Sequence, residues 1–253
     1  MKLLVVRPVV QTEQLSKLAG ELGAKELREA YGCGAELEVA YLPYGPSSLE
    51  CEYDECAAAP AICEVVKTRR SETDGILVDC FADPGIDAAR EVAAGKPVLG
   101  AGEAALTAAM LLGERMCIVT VLDSVGRMIY RRAQRQGLRG RMTRIRSVNV
   151  PVLATTDRER LVDAITREGL DAVLTEDADV LVLGCTGLRS LADEVAGNLR
   201  SKTGFDIPVV DPSIAGIRML EALVGMGMPQ SGRAYAAPPD KLRVLPVVGS
   251  MPG

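Results

Sequence analysis

The sequence contains no histidine and no tryptophan, and only 3% of its 253 residues are aromatic. Without histidine, a Ser-His-Asp triad, a Cys-His pair and every metal site with an imidazole ligand are excluded. Catalysis by this chain would therefore rest on cysteine, carboxylate, lysine or tyrosine side chains.

The seven cysteines include no Cys-x-x-Cys pair, so zinc and iron-sulfur sites are not expected and we predict no metal. An odd number of cysteines, with no signal peptide recognised before the first apolar run, predicts free thiols rather than disulfides. No run of apolar residues approaches the roughly 18 of a membrane span. With 48% hydrophobic residues and a mean hydropathy of +0.15, we expect a globular, cytoplasmic protein with no membrane partner.

The formal charge of -5, from 29 basic and 34 acidic residues, argues against nucleic acid as a partner. One stretch departs from this balance, because Arg127 to Arg146 contains eight arginines and no acid. We interpret it as a solvated surface whose arginines pair with acids elsewhere. The alternative is a patch that steers an anionic substrate or contacts an anionic neighbouring subunit.

Apolar runs of strand length alternate with stretches of helical period, which is typical of a parallel sheet with crossover helices. Eight strands are predicted, enough for two sheets of four. They are Leu3 to Val6, Leu37 to Tyr41, Ile76 to Val78, Val98 to Leu99, Cys117 to Leu122, Thr143 to Val148, Val180 to Leu183 and Val209 to Val210.

An internal repeat indicates that the chain is a duplicated four-strand α/β unit. The segment Asp74-Gly-Ile-Leu-Val-Asp-Cys80 returns as Asp179-Val-Leu-Val-Leu-Gly-Cys185, 105 residues later (185 minus 80). A helix and a proline-led strand follow each copy, at Pro97 and at Pro208. Each half therefore places a cysteine directly after a buried strand.

In open parallel sheets, ligands bind beyond the carboxyl ends of the strands, where Cys80 and Cys185 are predicted to lie. Asp83-Pro-Gly85 predicts a helix N-terminus after Cys80, and Thr186-Gly187 predicts another after Cys185, so a lowered thiol pKa is expected. Two facing thiols suit the inversion of a carbon centre. One thiolate removes the proton from one face, and the opposite thiol returns a proton to the other.

Both cysteine contexts, Cys80-Phe-Ala-Asp-Pro-Gly-Ile-Asp-Ala-Ala-Arg90 and Leu183-Gly-Cys-Thr-Gly-Leu188, resemble the aspartate/glutamate racemase superfamily, closest to its hydantoin racemase branch. Gly45 to Glu50 and Gly100 to Ala105 resemble the same branch. The resemblance implies two pseudo-symmetric α/β domains with the active site between them, no cofactor, a small-molecule substrate and a homo-oligomer. It also implies that the chain crosses back, with residues 1–100 plus 212–253 in the first domain and 101–211 in the second.

By motif position, the resemblance assigns proton transfer to Cys80 and Cys185. It places the substrate beside Pro8, Val9, Phe81, Thr120, Ser124, Thr186 and Gly187. The first strand departs from the family pattern: Arg7-Pro-Val-Val10 stands where relatives commonly carry Asn-Pro-Asn followed by Thr or Ser. Leu122-Asp-Ser124 also stands where hydantoin racemases often carry Arg. These departures leave maleate isomerisation and arylmalonate decarboxylation open as alternatives, although the decarboxylases lack the first cysteine.

Two other functions compete with racemisation. Gly100-Ala-Gly-Glu-Ala-Ala105 follows a strand, and Asp123 comes 21 residues after Gly102 (123 minus 102), which fits a dinucleotide-binding fingerprint. Glu103 opposes that interpretation, because it would put a carboxylate where a pyrophosphate must bind. The second competitor is a non-catalytic small-molecule sensor on the same scaffold.

Overall fold

A computed structural model describes residues 1–13, 34–154 and 157–243. Its strands are β1 (Lys2–Val10), β2 (Glu36–Leu42), β3 (Gly75–Val78), β4 (Val98–Gly100), β5 (Met116–Thr120), β6 (Arg146–Ser147), β7 (Val180–Leu183) and β8 (Val209–Val210). Its α-helices are α1 (Glu52–Arg69), α2 (Ile86–Val92), α3 (Ala101–Leu112), α4 (Asp123–Arg135), α5 (Arg158–Glu176), α6 (Ala192–Thr203) and α7 (Pro212–Gly225). Cys33 lies outside the described residues.

The strands form two four-stranded sheets with the same order, β2-β1-β3-β4 and β6-β5-β7-β8, and every pair is parallel. The predicted α/β class with two four-stranded parallel sheets is therefore confirmed. Two strands differ from their predicted lengths by four residues or more. β1 runs to Val10, and β6 pairs with β5 only at Arg146 and Ser147 rather than over Thr143 to Val148.

The acid that opens each copy of the repeat has the same structural role. Asp74 Oδ2 accepts a hydrogen bond from the backbone N–H of Lys2 at 2.8 Å, and Asp179 Oδ1 accepts one from Arg115 at 2.9 Å. Lys2 comes directly before Leu3, the first residue of β1 that pairs with β3, and Arg115 comes directly before Met116, the first residue of β5 that pairs with β7. Each acid thus satisfies a backbone donor at the amino end of its sheet.

After β8 the chain returns to the first sheet. Helix α7 buries Ile217 and Leu220 against Leu3 and Leu77. The contact is close, because a Cβ on Gly216 would stand 2.6 Å from a methyl carbon of Leu77. The predicted domain bounds themselves stay a prediction.

Helix α3 connects the two halves. Ala101 belongs to the core of the first sheet, whereas Ala105, Leu106 and Ala109 belong to the core of the second. This helix therefore packs against the cores of both sheets. Across the described ranges, the helices are too short or too polar to cross a membrane.

Candidate active site

A cavity of about 100 Å³ lies between the two halves, at the carboxyl ends of β1, β3 and β7. It is lined by both predicted catalytic cysteines and by side chains from both repeats: Arg7, Pro8, Val9, Ser47, Ser48, Leu49, Asp79, Cys80, Val152, Cys185, Thr186, Gly187 and Arg189. The two sulfur-bearing residues, 105 positions apart in sequence, therefore share one cavity.

The two cysteines occupy equivalent tight turns. The carbonyl of Cys80 accepts a hydrogen bond from the N–H of Asp83, and the carbonyl of Cys185 accepts one from Leu188, each at 3.0 Å. The N–H of Gly187 donates to the Cys185 sulfur at 3.3 Å. In the first half, the N–H at the equivalent position, Ala82, lowers the pKa of Cys80.

A helix begins after Cys80, as predicted, but Asp83 does not cap it. Helix α2 begins at Ile86 after Gly85, which has a left-handed φ of 62°. Asp83 caps a different helix: its carboxylate accepts hydrogen bonds from the N–H groups of Gly102 and Glu103 at the start of α3, at 2.7 and 2.9 Å. The backbone of Asp83 is left-handed, with a φ of 48°.

The predicted helix after Cys185 was misplaced. A short 3-10 turn spans Thr186–Leu188, and helix α6 begins only at Ala192. Neither sulfur therefore lies at the start of a long helix, and the expected lowering of the thiol pKa was wrong. Burial raises the pKa of Cys80 well above that of an ordinary thiol, and it raises the pKa of Cys185 as well.

The surroundings of the two thiols differ in charge. After burial, the N–H of Ala82 lowers the pKa of Cys80, while the charges of Cys185 and Asp83 raise it. For Cys185, burial is again the largest cause, the N–H of Gly187 and the Arg189 guanidinium lower the pKa, and Asp79 raises it. Because charge on one sulfur opposes charge on the other, ionisation of both thiols at once is disfavoured.

Asp79 connects the two cysteine turns. Its Oδ1 accepts a hydrogen bond from the Ser213 hydroxyl at 2.7 Å, and its Oδ2 stands 3.9 Å from the Arg189 guanidinium. The Thr186 hydroxyl donates to the Asp79 carbonyl at 3.2 Å. These contacts join the turn of the first half to that of the second.

The structure brings together some of the predicted substrate-side residues and not others. Pro8, Val9, Thr186 and Gly187 line the cavity with the cysteines. Phe81, Thr120 and Ser124 do not. Phe81 is buried in the core of the second half, Thr120 donates its hydroxyl to the Gly184 carbonyl at 2.9 Å, and Ser124 lies in the first turn of α4.

Several lining residues were missed as site residues. Arg7 donates to the Tyr41 hydroxyl at 2.6 Å and places its guanidinium 5.5 Å from the centre of that ring. The sequence could have identified Arg7, Ser47 and Ser48 as site residues, since all three belong to the stretches compared with the family. Arg189 carried no signal, because it matches no motif.

The start of α3 is already occupied by protein. The Asp83 carboxylate fills the position in front of Gly102 and Glu103 that a pyrophosphate would take in a dinucleotide-binding site. Glu103 pairs with Arg90 and accepts a hydrogen bond from the Gly100 N–H at 2.9 Å. The dinucleotide interpretation of this segment is therefore not supported by its geometry.

Part of the arginine-rich stretch pairs with acids, as the first interpretation expects. Arg131 pairs with Glu52, and Arg132 pairs with Asp83. The largest cluster centres on the buried Arg146, which contacts the carboxylates of Glu168, Asp171 and Glu176.

Comparison with known proteins agrees with this arrangement. A family profile described as Asp/Glu/Hydantoin racemase matches residues 24–220. A hydantoin racemase from Pseudomonas sp. (strain NS671) is 33% identical over 200 residues, which is 78% of each chain. One from Rhizobium meliloti is 33% identical over 198 residues, 76% of this chain and 78% of the relative. The structure of allantoin racemase from Klebsiella pneumoniae superposes with a TM-score of 0.84 at 28% identity, covering 95% of both chains. The resemblance expected from the cysteine contexts is confirmed, and the chain belongs to the Asp/Glu/Hydantoin racemase family.

Proposed function

We propose that this protein is a cofactor-independent racemase that inverts a carbon centre next to a carbonyl, with Cys80 and Cys185 as the two proton-transfer groups. The substrate class we propose is a small cyclic ureide of the hydantoin or allantoin type. One observation carries the proposal: a thiol from each copy of the repeat lines the same cavity, in the same kind of turn.

The proposed reaction needs no oxidant or reductant. The thiolate of one cysteine takes the proton from the stereocentre, and the electron pair of the broken C–H bond moves onto the adjacent carbonyl as an enolate. The thiol of the other cysteine then protonates the carbon from the opposite face. One proton enters and one leaves, and the thiol and thiolate have exchanged places.

The charges around the sulfurs support an order for this exchange. Arg189 favours the thiolate of Cys185, whereas Asp83 disfavours that of Cys80. In the resting enzyme Cys185 is therefore the base and Cys80 the acid. The Arg7 cation in the cavity lining favours the negative charge that develops on the enolate.

Two observations support the substrate class. Proteins at 28% to 33% identity that match three quarters or more of the chain include two hydantoin racemases and an allantoin racemase. The cavity of about 100 Å³ suits a small ring better than an extended molecule.

The test is racemisation of single enantiomers of allantoin and of 5-substituted hydantoins, followed by circular dichroism in D₂O without added cofactor. We expect loss of optical activity with deuterium entering the stereocentre. Cys80→Ser and Cys185→Ser should each lower the rate by about 10²- to 10⁴-fold. Cys56→Ser is the matched control, because Cys56 is an exposed thiol of α1 outside the cavity.

Each serine variant should retain exchange from one enantiomer at most, since one thiol is left. If either serine variant racemises at the parental rate, the two-thiol assignment is wrong. If the parental protein exchanges deuterium only when a nicotinamide is added, the enzyme is of another class.

A further inference from the structure

We propose that Arg189 is a specificity-determining residue that binds a carboxylate on the substituent of the substrate, so that the preferred substrates are ureide rings with a short acidic side chain. The inference rests on the proposed function, whose site it deepens. It follows from how this guanidinium is placed and from how few of its donors the protein uses.

Arg189 is held at the cavity by the turn that also holds a catalytic thiol. Its backbone N–H donates to the carbonyl of Thr186 at 3.4 Å, directly after the 3-10 turn that begins behind Cys185. The side chain lines the cavity and is only 15% exposed. A charge is therefore fixed beside the reacting groups rather than extended into solvent.

The guanidinium has little use within the protein. Its nearest carboxylate oxygen, Asp79 Oδ2, is 3.9 Å away, which is beyond hydrogen-bond distance. Throughout the described ranges, the Arg189 side chain makes no hydrogen bond. The carboxylate of Asp79 is meanwhile engaged by the Ser213 hydroxyl at 2.7 Å. An arginine offers five N–H donors in a planar fork that matches a carboxylate, and here that fork is left for a ligand.

The rest of the lining limits where a substituent can be held. Val9, Leu49 and Val152 form apolar walls, and Ser47 and Ser48 add hydroxyls. A ring that fills the cavity displaces the water around Arg189, and a neutral substituent would leave that cation without a strong partner. A carboxylate would replace the lost hydration with charge-assisted hydrogen bonds, so the site should discriminate by charge at equal size.

A different role for Arg189 has a different consequence. If the guanidinium contacted the carbonyl at the reacting carbon, it would stabilise the enolate of every substrate, and its loss would lower kcat for acidic and neutral rings alike. If it binds the substituent, its loss should raise KM for acidic substrates alone. Two substrates of equal shape and different charge separate these roles.

The experiment compares 5-(carboxymethyl)hydantoin with its neutral amide, 5-(carbamoylmethyl)hydantoin. With the unaltered enzyme we expect kcat/KM for the acid to exceed that for the amide by about 10- to 100-fold, with KM for the acid rising as salt is added. Arg189→Gln should abolish that preference, mainly by raising KM for the acid, so that the two kcat/KM values become equal. A loss of rate shared by both substrates is expected as well, because the guanidinium also favours the Cys185 thiolate. Arg189→Lys should restore part of the preference, because lysine keeps the charge without the fork. Arg158→Gln, at an exposed arginine paired with Glu194, should leave both substrates unchanged.

The outcomes separate the inference from the proposed function. An unaltered enzyme that racemises the amide as well as or better than the acid overturns the acidic preference and leaves the racemase intact. An equal loss with both substrates in Arg189→Gln, with an unchanged melting temperature, overturns the substituent role. Racemisation of neither substrate overturns the proposed function and the inference with it.

Discussion

The ion pair between Asp83 and Arg132 connects the Cys80 turn to the second half of the molecule. Asp83 is fully buried, and its Oδ2 accepts a hydrogen bond from Arg132 Nε at 3.0 Å, in addition to those from the N–H groups of Gly102 and Glu103. Burial raises the pKa of Asp83 to about 7, even though the arginine and both N–H groups lower it. The arginine is therefore what allows this carboxylate to be ionised near neutral pH.

We predict that Arg132→Met destabilises the protein by an amount that depends on pH. Without the guanidinium, the pKa of Asp83 in the folded state moves above 7, while the unfolded value stays near 3.9. Below about pH 6 the folded carboxyl is protonated in both proteins, so the variant loses little from this source. Above pH 7 the parental carboxyl ionises and that of the variant does not. The loss in free energy of unfolding therefore grows by about 1.4 kcal/mol per pH unit until the pH reaches the raised pKa of the variant. Between about pH 6 and pH 8.5 the added loss is about 2 kcal/mol.

The assay is urea unfolding followed by circular dichroism at those two pH values. Arg131→Met is the matched control on the same helix: its partner is Glu52, both side chains are 56% exposed, and the expected cost is below about 1 kcal/mol at either pH. Glu55 complicates the assignment, because burial raises its pKa to about 7 and Arg132 lowers it too. The Asp83→Asn background separates the two groups, since the part due to Asp83 should disappear there and only the part due to Glu55 should remain. A loss that is equal at both pH values, or whose pH-dependent part is undiminished in Asp83→Asn, would refute the reasoning.

Three further outcomes are expected. Iodoacetamide should alkylate Cys185 faster than Cys80 at neutral pH, as measured by peptide mass spectrometry. The reason is that Arg189 lowers the pKa of Cys185, whereas acidic neighbours raise the pKa of Cys80. The reverse order would contradict the charge assignment. Since burial raises both thiol pKa values, kcat/KM should rise with pH between about 7 and 9 as thiolate forms, and a falling profile would exclude a thiolate base. Gly102→Ala should lower both racemase activity and melting temperature, because the added Cβ would overlap the Phe81 carbonyl oxygen next to Cys80. Gly197→Ala is the control: its Cβ would meet open space in α6, so it should raise the free energy of unfolding by about 0.5–1 kcal/mol. Equal effects of the two substitutions would argue against a tightly packed turn.

The sheets could be predicted from the sequence because buried parallel strands leave a simple signal, a short apolar run with turn residues after it. The repeat added the symmetry, since Asp74 and Asp179 mark the same position in the two sheets. β6 was predicted too long, because an apolar or β-branched run such as Thr143 to Val148 does not show where pairing with a neighbour stops.

The side-chain partners of the site could not be predicted in the same way. Asp83-Pro-Gly85 has the local pattern of a helix cap, but the carboxylate binds the start of a helix that begins at Ala101. That pairing depends on tertiary packing. Val152 reaches the cavity for a similar reason, because its N–H donates to Glu50 of the other half at 3.0 Å.

The duplicated unit has kept its symmetry at the two cysteine turns and lost it at two other positions that line the cavity in the first half. By strand register Arg7 corresponds to Thr120, and by repeat position Asp79 corresponds to Gly184. In the second half Thr120 and Gly184 close against each other, since a Cβ on that glycine would stand 2.8 Å from Thr120 Cβ. In the first half the same two positions carry an arginine and an aspartate that line the cavity. In the proposed reaction, the equivalent turns would let either thiol act on the carbon. The unequal charges would hold the ring of both enantiomers in one orientation, so that the same carbonyl receives the developing charge in either direction of the reaction.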